Sequence, residues 1–91
     1  MGLYYEDFEP DRPVVTRGRT VGEGDITLFA GLVGDHNPLH VDEHYCASTP
    51  YKGRIAHGPL TLAMAIGLMS QQNLIDDTTT GLLGLSSAQL K

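Results

Sequence analysis

The chain has 91 residues, a formal net charge of −5 and one cysteine. A chain of this length holds one small domain with a modest core. With no Lys/Arg cluster to neutralise phosphates, it does not read as a nucleic-acid binder. Cys46 has no partner for an internal disulfide, which fits a reducing, cytoplasmic setting. No secretory leader is visible. The longest apolar stretch, Leu60 to Met69, is too short to span a bilayer, so no membrane role is expected.

Residues 1–13 read as an irregular arm, because Glu6, Asp7, Glu9, Pro10, Asp11 and Pro13 leave little room for regular structure. From Val14 to Val21, β-branched residues alternate with Arg and Thr, which predicts a strand. Gly22 then caps a helix with Glu23 and Asp25 in its first turn, where the helix dipole favours acids. Ile26, Phe29, Ala30 and Val33 recur at helical spacing, and Gly34 stands where a helix ends.

The run Gly34-Asp35-His36-Asn37-Pro38-Leu39-His40 follows at once. It sets a carboxylate, an amide and two imidazoles in one short turn. Pro38 fixes its own φ and moves Asn37 out of helical space. Asp35 and His40 can then share a bound water as an acid/base pair. His36 is expected to face solvent or a pocket rim.

Asp42 predicts the cap of a short helix from Glu43 to Ala47, and residues 48–53 read as a loop around Pro50 and Gly53. A second run, Arg54-Ile55-Ala56-His57-Gly58-Pro59-Leu60, opens a helix with Pro59 near its first position. From Leu60 to Gln72 that helix is apolar on nearly every face, the pattern of an element buried on all sides. A polar connection spans residues 76–80, and residues 81–90 predict one more strand. One strand on each side of such a helix cannot surround it, and a two-stranded ribbon is marginal in water.

A metal centre has little support. His40 and His44 are four apart, but Asp42 starts a new helix between them, and no His-Glu-x-x-His or Cys pair occurs. Cys46 lacks a base and is expected on a core-facing helix. There is no Gly-x-x-x-x-Gly-Lys-Ser/Thr phosphate loop.

The two runs together resemble the signature of the MaoC-like (R)-specific enoyl-CoA hydratases and acyl dehydratases. The family's Asp-x-Asn-Pro-x-His stands at Asp35, Asn37, Pro38, Leu39 and His40, and its His-Gly pair at His57 and Gly58. The resemblance implies an α+β hot-dog fold: a central apolar helix wrapped by a curved antiparallel sheet. Residues 1–91 would then be the N-terminal portion of a single domain, with the C-terminal strands missing after Lys91.

It further implies reversible hydration of a trans-2-enoyl-CoA to a (3R)-3-hydroxyacyl-CoA. Asp35 and His40 would activate the water, and Asn37 would hold the loop or orient that water. The Gly58 amide would face the thioester oxygen; His57, from its place at the helix start, is expected simply to cap it. Arg54 and Lys52 are candidate contacts for the phosphates of coenzyme A, which enters as part of the substrate; no cofactor or metal is implied. A homodimer joined through sheet edges, or a partner chain supplying the missing strands, is expected. The alternatives are a hot-dog thioesterase and a non-catalytic half-domain that needs a partner. Ile66 cannot hydrogen-bond where some relatives carry a polar residue that touches substrate.

Overall fold

The computed structural model describes residues 2–82 and 84–86. Among them it contains a 3-10 turn at Tyr5–Asp7 and four helices: α1 (Glu23–Val33), α2 (Pro38–Val41), α3 (Glu43–Ala47) and α4 (Gly58–Ser70). No helix among the described residues is long and apolar enough to cross a membrane. The chain divides into two units, residues 19–62 and residues 1–18 with 63–91.

The first unit carries α1 to α3. Gly22 caps α1 in an extended conformation, and its N–H donates to the Asp25 carboxylate at 2.9 Å. That bond satisfies a donor near the helix start. Arg19 reaches the same carboxylate oxygen at 3.2 Å. Ile26 and Ala30, four apart, form the buried stripe of α1. At the other end Gly34 adopts φ 81°, and its N–H closes on the Ala30 carbonyl at 2.8 Å. A left-handed residue at this position suits glycine because it has no Cβ to clash.

The chain leaves α1 and re-enters helix within a few residues. The run expected to be a turn contains α2, a single helical turn that packs on both α1 and α3. Pro38 opens α2, and the Asn37 side chain caps it by accepting the Leu39 N–H at 3.0 Å. Asp42 ends α2 and caps α3, its Oδ1 accepting the Tyr45 N–H at 3.0 Å. Cys46 on α3 is fully buried, as its place on a core-facing helix predicts.

In the second unit the N-terminal arm pairs with the segment after α4. Gly2 N–H donates to Asp76 O at 2.8 Å and Leu3 N–H to Leu74 O at 2.5 Å, while Thr78 Oγ1 donates to Leu3 O at 2.7 Å. A side chain at Gly2 would run into the Asp76 backbone, so this close approach requires glycine.

Three expectations change. The strand expected at Val14–Val21 does not form; residues 14–22 have no regular structure. A strand is stabilised by a neighbour's backbone, and no strand occurs among the described residues to supply one. The expected α+β sheet is therefore absent among them. The second expected strand, residues 81–90, falls largely outside the described residues; 81, 82 and 84–86 have no regular structure. Third, α4 forms where expected but is not buried all round. Leu60 is buried, whereas Ile66 and Met69 are exposed. The sequence of α4 demands cover on every side, and no sheet to give it is formed among the described residues.

Candidate active site

The site lies within residues 19–62. Leaving α1 at Gly34, the chain places Asp35 two residues before Asn37, the cap of α2. One carboxylate oxygen of Asp35, Oδ1, accepts the Asn37 N–H at 3.3 Å; the other, Oδ2, lies 3.9 Å from His40 Nε2. The local turn thus uses one oxygen and aims the other at the imidazole. Asp35 is half exposed at its side chain, and His40 is mostly buried, at 12%.

His40 is fixed from its far side. Its Nδ1 lies 2.8 Å from the carbonyl oxygen of Ile55. A carbonyl can only accept, so Nδ1 carries a proton, and in the neutral ring Nε2 turns a lone pair toward Asp35. The main chain is held as well: Ile55 N–H donates to Leu39 O at 3.0 Å, and Arg54 Nε to His40 O at 2.5 Å.

His57 precedes α4 and is 2% exposed. Its ring stacks on that of His40 with centroids 3.7 Å apart and 23° between planes. Phe29 of α1 meets the same ring edge-on at 5.0 Å. His57 Nε2 donates to the Asp35 carbonyl at 3.0 Å, and Nδ1 has no partner among the described residues. Neither ring nitrogen therefore caps α4, the role expected of His57; the ring packs against His40 and ties down the backbone of Asp35. Gly58 opens α4, is exposed, and has open space where a Cβ would stand. A ligand could approach the backbone there.

The remaining expected residues divide. Asn37 holds the loop through its cap bond to Leu39. Arg54 directs two of its donors inward, Nε to His40 O and Nη2 to Thr27 Oγ1 at 2.6 Å. Lys52 is exposed with φ 61°, in the loop after α3. His36 is exposed. Thr27 was not singled out in the sequence; its spacing on α1 carries no signal until Arg54 is placed beside it.

Cys46 bonds the far side of α2, its Sγ lying 3.3 Å from Pro38 O and 3.2 Å from Leu39 O. Burial, followed by the nearby Glu43 and Asp42 charges, pushes this thiol above its ordinary value, and Arg54 partly offsets the shift. Cys46 is thus a buttress, not a nucleophile.

Asp35, His40 and His57 each bring one possible metal ligand atom within 4.8 Å of the others. The stacking works against a shared ion. Imidazole lone pairs lie in the ring plane, and two nearly parallel planes do not converge on one point.

The family described as "MaoC like domain" matches residues 7–81, and the chain belongs to that family. The 3-hydroxybutyryl-CoA dehydratase of Methylorubrum extorquens is 39% identical over 62 residues, which are 68% of this chain and 39% of that protein. The (R)-specific enoyl-CoA hydratase of Rhodospirillum rubrum is 47% identical over 58 residues, 64% of this chain and 40% of that one. The chain thus spans about two fifths of the length of these curated relatives. Among solved structures, the monoamine oxidase regulatory protein from Archaeoglobus fulgius aligns with a TM-score of 0.71 at 35% identity, over 78% of this chain and 46% of that one. These likenesses are consistent with the hot-dog fold that the motifs imply.

Proposed function

We propose that the Asp35/His40 site adds water reversibly to a trans-2-enoyl-CoA, giving a (3R)-3-hydroxyacyl-CoA. The observation that supports this best is the 3.9 Å approach of Asp35 Oδ2 to His40 Nε2, with the His40 proton held on Nδ1 by Ile55. With His40 neutral, both facing atoms are acceptors. A water about 2.8 Å from each can donate one hydrogen to each. Such a water is stripped of both protons' freedom and presents its lone pair outward, toward an electrophilic β-carbon.

In the forward direction the water oxygen bonds to the β-carbon as one of its protons passes to the dyad. The electron pair of the double bond moves toward the thioester, and a proton returns from the dyad to the α-carbon. The sum is addition of H and OH across the double bond, with both residues restored. Charge developing on the thioester oxygen is met by the Gly58 N–H at the start of α4, where the helix dipole adds to the bond. The relatives named as hydratase and dehydratase carry the same pair of directions in their names.

The test is loss of the enoyl-thioester absorbance of crotonyl-CoA, with chiral analysis of the product and an assay for free thiol beside it. Hydration without thiol release supports the reading. Thiol release with no 3-hydroxy product would replace it with hydrolysis.

A further inference from the structure

We propose that Arg54, braced by Thr27, is a positioning residue for His40; the inference rests on the hydration reading for its kinetic arm only. Helix α2 has four residues, so only Pro38 O takes a helical partner, the Asp42 N–H, and the carbonyls after it need others. Leu39 O and His40 O find theirs at residues 55 and 54. Pro38 O accepts Asp42 N–H and faces Cys46 Sγ; Leu39 O accepts Ile55 N–H. His40 O accepts Arg54 Nε at 2.5 Å.

That last partner is itself anchored. Arg54 Nη2 donates to Thr27 Oγ1 on α1 at 2.6 Å. Nε and Nη2 belong to one rigid planar group, so the two bonds fix the His40 carbonyl relative to α1. The next residue completes the grip. Ile55 N–H holds Leu39 O, and Ile55 O takes the His40 Nδ1 proton. Residues 54 and 55 therefore set the main chain of the base, the rotation of its ring and its tautomer together. Arg54 is half-buried while doing so. A lysine at 54 would keep the charge but could not make two bonds of fixed relative direction.

Two variants separate this role from a contact with coenzyme A phosphates. Arg54→Lys keeps a cation, and Thr27→Val removes only the brace's acceptor. Both are made in the 91-residue chain with histidines labelled with nitrogen-15. The wild-type His40 signal should report a single Nδ1–H tautomer, and both variants should show mixed tautomers with amide shifts of residues 19–62 otherwise retained. With crotonyl-CoA, kcat should fall about 10- to 100-fold in Arg54→Lys and less in Thr27→Val, with KM nearly constant, because a displaced base costs rate without loosening substrate. An unchanged His40 tautomer in both variants overturns the proposal. So does an effect confined to KM. If the wild type shows the tautomer but no hydration, the hydration reading fails while the spectroscopic arm still decides the role of Arg54. Should Arg54→Lys not fold, Thr27→Val alone carries the test.

Discussion

The rings of His40 and His57 stack at 3.7 Å, joining the two sequence runs that form the candidate site. One ring turns its Nε2 toward the carboxylate of Asp35, and the other donates to the carbonyl of the same Asp35. Asp35, His40 and the start of α4 are thus one packed unit. Replacing His57 by Ala should remove the stack, open a cavity beside Phe29 and cost about 2–4 kcal/mol of stability in urea unfolding. His57→Phe should recover much of that loss, because the apolar contact returns, yet should leave Asp35 O unpaired and hydration impaired.

Asn37 acts on the site through the helix it caps. Its side chain accepts the Leu39 N–H, and its own N–H orients Asp35. Asn37→Ala should cost about 1 kcal/mol in unfolding experiments. Asn37→Asp retains an acceptor at the cap and should be close to wild type in stability.

Gly34 stands at φ 81° with no neighbour near its missing Cβ. The strain of a side chain there would come from the backbone alone. Gly34→Ala should destabilise by about 1–2 kcal/mol, and circular dichroism melts would read it as a lowered Tm. A change much smaller than this would mean that the turn leaving α1 relaxes.

Cys46 gives a pH dependence. Its pKa lies above the ordinary value of 9.0 in the folded chain. Below that ordinary value both folded and unfolded chains keep the thiol proton, and the buried thiol contributes fully. As pH rises past it, the unfolded chain loses its proton first, so stability must fall. Urea unfolding across alkaline pH should show this fall and lose part of it in Cys46→Ala. Iodoacetamide should alkylate folded Cys46 far more slowly than the urea-unfolded chain at the same pH.

The helices were legible because their signals are local. Gly22 and Gly34 bracket α1, Asp42 caps α3, and Pro59 follows the first residue of α4. The one-turn helix α2 was not, since Pro38 reads equally as turn and as first helical residue. The strand at Val14–Val21 has the right alternation, but pairing depends on residues far away in sequence. In the site, Asp35 and His40 follow from their spacing within one motif. His57 and Arg54 do not: each acts on His40 across fourteen or more residues, through a ring stack and a backbone carbonyl that no local pattern encodes.

The most direct test of the account is crotonyl-CoA hydration by the purified chain and by its Asp35→Asn variant. Asp35→Asn keeps an oxygen for the Asn37 N–H and loses the acceptor pair around the water. The account predicts hydration to the (3R)-product by the wild type and a loss of about 10²- to 10⁴-fold in the variant. A wild-type chain that folds with His40 in the Nδ1–H tautomer and yet leaves crotonyl-CoA unchanged, or an Asp35→Asn variant as active as its parent, would contradict it.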